Sequence, residues 1–137
     1  MFKPAFYAGI GSRDTPDEVR RLMRLSAHRL QALGYFLRSG GAPGADQAFE
    51  AGCSRHARQV FLPWPGFQGN DSALYDLPNF DEAQAISERF HPTWAKLRDS
   101  HRKLHGRNAY QVLGFNLRQP ARFVLCWTPD GVEDGRQ

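Results

Sequence analysis

Long apolar runs are missing from this chain. None approaches the roughly 18 residues that a membrane helix needs. The opening MFKPAFYAGIGSRD places glycines and an arginine where a secretory signal needs an apolar stretch, so the cytosol is the default expectation. Cysteine is scarce: Cys53 and Cys126 lie far apart without CxxC spacing, and read as small buried apolar residues in a reducing compartment. Metal signatures are absent as well. His101 and His105 are four apart, but position 102 is Arg rather than the Glu of HExxH, and cations crowd the pair. No GxSxG, no Cys–His spacing and no dense carboxylate cluster is present, so no catalytic residue is assigned, and neither metal nor cofactor is expected. Internal repeats and low-complexity stretches are also lacking, and ordinary proportions of apolar (41%) and charged (23%) residues exclude a disordered tail, a collagen-like chain and a coiled coil.

What is present suits one domain of 137 residues with a net charge of +4. Fifteen of its 18 cations are Arg. Arg makes planar two-pronged contacts with phosphate, so an anionic partner is one reading, and an Arg-favouring genome is the other.

Strand and helix patterns alternate. Phe6–Ile10 is a short apolar run ending at glycine. Thr15-Pro16-Asp17-Glu18 reads as a cap, a first-turn proline and an acid three residues on. Val19, Leu22, Met23, Ala27, Leu30 and Leu33 then recur at helical period, and Gly34 stops the helix. Tyr35–Leu37 is a second strand, ending at Ser39-Gly40-Gly41. Pro43 opens a second helix with Ala45, Ala48, Phe49, Gly52 and Cys53 on its inner face. Gln59–Leu62 is a third strand, residues 63–80 a long Pro/Gly/Asn/Asp loop, 81–90 a helix, and 93–117 a helix with a break near Gly106. Phe123–Trp127 is a fourth strand, and the polar tail from Asp130 to Gln137 is expected to be mobile. This order implies a mostly parallel sheet of about four or five strands covered on both faces, with ligands outside the carboxyl ends of the strands.

The residues just after each strand therefore carry the chemistry. Gly11, Ser12 and Arg13 form a turn whose amides and hydroxyl face an anion, or a turn that needs glycine only for its backbone angles. Ser39, Gly40, Gly41, Gly44 and Asp46, within SGGAPGAD, form a phosphate loop at a helix start; no Gly-Lys-Ser/Thr follows, so it is not a Walker A loop. Asp46 complements the helix dipole, binds a ribose hydroxyl or steadies the loop. Glu50, one turn on, handles a sugar together with Asp46 or lies on the helix surface. Trp64, fixed between prolines, stacks on a base or plugs the sheet edge. Thr128 adds a hydroxyl after the fourth strand. The strip from Lys96 to Asn108 holds five Lys/Arg and reads as a nucleic-acid face or as a solvated helix face.

GIGSRD, RSGGAPGADQAFEAG, the Arg-Asn of GRNAYQVLG and the late strand ending in Trp-Thr-Pro-Asp-Gly together resemble the SLOG superfamily over about residues 5–131. These are Rossmann-like three-layer domains related to the DNA-processing protein DprA/Smf and to the LOG nucleoside-monophosphate phosphoribohydrolases. The nearest likeness is to small YspA/YpsA-type members, many of them phage-encoded. The resemblance implies a nucleotide or nucleotide-derived ligand at the strand ends. It places Gly11, Ser12 and Arg13 in the first loop, Ser39, Gly40, Gly41, Gly44 and Asp46 in the phosphate loop, and Arg107 and Asn108 in the family's Arg-Asn pair. A later PGGxGTxxE motif, which supplies the phosphoribohydrolases' catalytic glutamate, is absent here, so the chain is expected to be a truncated or minimal version. Binding is thus the leading expectation and an enzyme is not. DprA-like single-stranded DNA binding and LOG-like N-glycosidic hydrolysis are the alternatives, and a homo-oligomer, in its simplest form a dimer, is the expected assembly.

Overall fold

The structure, a computed structural model, describes residues 4–130. Of the polar tail, only Asp130 lies within them.

Four parallel strands form one sheet in the order β3-β2-β1-β4: β1 Ala5–Gly11, β2 Tyr35–Ser39, β3 Arg58–Val60 and β4 Val124–Trp127. Helices α1 (Asp17–Ala32) and α2 (Ala45–Ala51) cover one face, where Tyr7, Leu37, Met23, Ala27 and Phe49 make a core closed by Phe123, Leu125 and Trp127. Helices α3 (Phe80–Arg89) and α4 (Asp99–Leu113) belong to the second face, around Phe61, Ala83, Ala109, Tyr110 and Leu117. This is a three-layer, Rossmann-like α/β fold. The chain leaves β1 in one direction through β2 and β3, then returns to β4 on the other side of β1. That reversal creates a switch point between β1 and β4, where loops diverge and leave a crevice. No helix of the described residues is long and apolar enough to cross a membrane.

Several expectations need correction. Thr15 does not cap α1. The helix starts after Pro16 without a side-chain cap, and the Thr15 hydroxyl donates to the Ser12 carbonyl at 2.6 Å, tying the helix start to the first loop. Leu22 and Leu33 are about 60% exposed rather than buried, because the stripe through Val19, Met23, Ala27 and Leu30 faces the sheet and a neighbouring position is turned by a further 100°. The long helix over 93–117 is a 3-10 turn at Trp94–Lys96 followed by α4, with no break at Gly106. A Cβ at Gly106 would stand 2.6 Å from Gln84 Cγ and 3.0 Å from Phe80, so this glycine marks the closest approach of α3 and α4. The 63–80 loop contains a 3-10 turn, Phe67–Gly69, and a bridge from Phe61 to Leu74. Nor are both cysteines buried: Cys53 is half-buried, whereas Cys126 is exposed. Strand alternation turns Val124 and Cys126 away from the core that takes Leu125 and Trp127.

Candidate functional site

A cleft of about 540 Å³ opens at the switch point between the ends of β1 and β4. Gly11, Ser12, Arg13 and Asp14 form one side, Thr128 and Cys126 another, and α4 the third through His101, Leu104, His105, Asn108, Gln111 and Val112. Asp46 and Arg107 contribute from beneath, and both are buried. Seven of the twelve residues expected at the site therefore converge: Gly11, Ser12, Arg13, Asp46, Arg107, Asn108 and Thr128.

The other five stand apart. Trp64 packs edge-on against Phe67, with ring centroids 5.3 Å apart, in a cluster with Val60 and Leu62, and it does not line the cleft. Ser39, Gly40, Gly41 and Gly44 are buried and do not line the cleft; Gly44 lines a separate hollow beside α1 instead. Gly44, at φ +85°, is where the two loops touch: a Cβ there would meet the Ser12 and Arg13 carbonyl oxygens at 2.6 and 2.7 Å.

The phosphate-loop expectation is corrected by what the loop amides hold. The Gly41 N–H donates to Glu50 Oε2 at 3.0 Å, the Ser39 hydroxyl donates to the same oxygen at 2.5 Å, and the Ala42 N–H donates to Asp46 Oδ2 at 3.2 Å. The glycine-rich turn does gather amides around an anion, but the anions are the chain's own carboxylates, reaching back one and two turns from α2. Glu50 is accordingly buried, not on a helix surface, and Asn70 Nδ2 lies 3.5 Å from its other oxygen. The first loop is similarly committed. Its Ser12 N–H donates to the Trp127 carbonyl, and the Asp14 N–H donates to Ser12 Oγ. Outward, this loop offers Ser12's own hydroxyl hydrogen, the exposed Arg13 guanidinium and the exposed Asp14 side chain.

Arg107 stitches the floor. Its guanidinium donates to the Gly40 and Phe61 carbonyls, and its Nε donates to Asn108 Oδ1 at 3.0 Å, which leaves the Asn108 Nδ2 end for other partners. Burial pushes the Asp46 carboxyl up to about 7 against the pull of Arg107, with Glu50 adding repulsion. Burial likewise raises Glu50, opposed by Ser39, the Gly41 amide, Arg58 and Arg107. His105, which lines the cleft, is pulled below its ordinary value by burial, then by His91, His101 and Arg107. Its ring packs 4.7 Å from that of His91. No group of three His, Cys, Asp or Glu suited to a metal is found among the described residues.

The basic strip is largely committed elsewhere. Arg102 donates to the Trp94 and Ala95 carbonyls, Lys103 pairs with Asp99 at 3.4 Å, and Arg107 is buried. Lys96 and Arg98 remain exposed.

The sequence reading missed His101, His105 and Gln111 as cleft residues. The signal was available: stepping from Asn108 by helical period reaches Leu104, His105 and His101 in one direction and Gln111 and Val112 in the other. No family model, no curated protein and no solved structure matches the chain.

Proposed function

We propose that the cleft binds a nucleotide or nucleotide-derived ligand. The observation that carries this reading is the convergence of Ser12, Arg13, Arg107, Asn108 and Thr128 on one crevice at the β1/β4 switch point. Its volume falls in the range of small-molecule sites, roughly 300–1,000 Å³. The phosphate lies at the rim, on the Arg13 guanidinium and the Ser12 hydroxyl. The glycine-rich turn does not hold it, because the Gly41 and Ala42 amides are already taken by Glu50 and Asp46. The ring lies between Ile10, Leu104 and Val112.

Thermal denaturation with about 1 mM of each common nucleoside monophosphate tests this, since a ligand at 100 times its Kd stabilises by about 2.7 kcal/mol. A rise in Tm is expected for the native chain. Arg13→Glu, at an exposed position, is expected to fold normally and to lose that rise. If no nucleotide shifts the native protein, the reading fails.

Hydrolysis of the N-glycosidic bond is a second reading, favoured by one observation: a carboxyl in the cleft poised near neutral pH, as a general acid or base requires. Release of free base from a nucleoside monophosphate, abolished in Asp46→Asn, is the result that would establish it. Single-stranded DNA binding has less support, because three of the five cations of the strip are bonded within the fold or buried.

A further inference from the structure

The geometry points to a second anion site, a hollow between α1 and α2 that takes a short chain of phosphates. It shares no lining residue with the cleft, and it stands whether or not the cleft binds a nucleotide.

The hollow has a volume of about 320 Å³. Gly44, where α2 begins, lines it and lies against the backbone of Ser12 and Arg13. At the other end of α2 the two helices touch: a Cβ on Gly52 would overlap the Arg24 carbonyl oxygen and stand 2.8 Å from Ala27 Cβ. Between these close approaches α2 presents Gln47, Ala48 and Ala51, so its wall carries no charge and little bulk.

The opposite wall is cationic. Asp17, Arg20, Arg21 and Arg24 follow one another at the spacing that puts residues on one face of α1. Asp17 pairs with Arg20. Arg21 and Arg24 are exposed, and among the described residues their side chains have neither an ion pair nor a hydrogen bond. Like charges three and four positions apart repel on a helix surface, so this cluster weakens α1 until an anion lies across it. The α2 wall brings no acid to do so.

Guanidinium forks grip phosphate oxygens in pairs. Several of them along one hollow suit a ligand whose charges are strung out rather than concentrated in a single group. Among the described residues no aromatic side chain lines the hollow, so nothing there stacks on a base and the phosphates themselves are what is recognised. Inorganic polyphosphate and the triphosphate tail of a nucleotide both carry that group.

Calorimetry with tripolyphosphate, pyrophosphate and inorganic phosphate at about 0.15 M KCl tests the site. Tripolyphosphate is expected to bind the native chain at least about tenfold tighter than phosphate does, with pyrophosphate between them. Arg21→Gln combined with Arg24→Gln is expected to weaken tripolyphosphate by about tenfold or more. Arg118→Gln combined with Arg122→Gln removes the same charge from exposed positions outside the hollow, and is expected to change binding by less than about twofold. ATP and tripolyphosphate are then compared in Arg13→Glu, which removes the phosphate contact of the cleft. Equal affinities mean that the hollow accepts a nucleotide's tail, and tighter binding of tripolyphosphate assigns it to the free anion. If tripolyphosphate does not bind the native chain, the inference is overturned. An equal loss in the two double variants overturns it as well, because the attraction would then be to net charge alone. Either failure leaves the cleft reading standing, since that is decided by nucleoside monophosphates.

Discussion

Asp46 shows how a single residue changes meaning between sequence and structure. Its place in SGGAPGAD was legible as first-turn acid, ribose ligand or loop anchor; it does sit in the first turn of α2, and its bond to the Ala42 amide makes it a loop anchor as well. Spacing could not decide, because a residue four positions after an amide reaches it only if the turn between them curls back, and Gly41 at φ +71° and Gly44 at φ +85° provide that curl. Burial gives this residue a pH signature. A carboxyl near 3.8 in the unfolded chain and about 7 in the fold binds more protons folded than unfolded between those values. Its contribution to stability is thus greatest below about pH 4, declines as pH rises through 7, and is constant above. The span is of order a few kcal/mol. Asp46→Asn keeps an oxygen for the Ala42 amide and cannot titrate. Urea unfolding at pH 5 and pH 8 should therefore show the native protein losing more stability than the variant across that interval. Equal losses would mean that Asp46 is not held short of charge.

Among the elements, the strand ends were the most legible and the helix faces the least. The first two βα turns announced themselves through glycine and a hydroxyl, because only a few residue types fit such backbone. Faces of α1 were harder: Leu22 and Leu33 satisfy a helical period as well as Val19 and Leu30 do, and only the position of the sheet selects between two adjacent stripes. Gly106 was misread because helix propensity speaks of local backbone, whereas this glycine is required by a neighbouring helix. The contact of the first two βα loops gives a prediction for an element as a unit. Gly44 combines a left-handed φ with backbone oxygens of Ser12 and Arg13 that cannot rotate away. Gly44→Ala should cost about 2–3 kcal/mol, with the β1 loop and the start of α2 loosening together. Chemical denaturation gives the cost, and amide exchange should quicken at Ala45, whose N–H donates to the Ser12 carbonyl at 3.3 Å. A variant as stable as the native chain would show that the loops do not depend on this close approach.

For the whole molecule, alternating strands and helices were enough to place a ligand site at the carboxyl ends of a parallel sheet, since that follows from connection rules rather than from any one residue. They could not show where along that edge the opening lies, which depends on strand order. With β4 on the far side of β1, the crevice falls between those strands and not over the glycine-rich turn after β2. The same order makes β4 an edge strand and leaves Cys126 exposed in the cleft wall, a cysteine that reads as core in sequence. This thiol can report on the site directly. Burial and then Asp46 push its pKa up, and burial pushes that of Cys53 up as well, so alkylation of either should speed up with rising pH. Access distinguishes the two: Cys126 is exposed, whereas the Cys53 thiol is half-buried and 3.7 Å from the Phe49 and Glu50 carbonyl oxygens. Iodoacetamide followed by peptide mass spectrometry should therefore find Cys126 modified first. A nucleotide seated in the cleft should slow that reaction without altering the rate at Cys53, because only one of the two thiols lines the ligand's path. Faster modification of Cys53 would contradict the exposure of β4. An unchanged Cys126 rate with nucleotide bound would place the ligand somewhere other than the switch point.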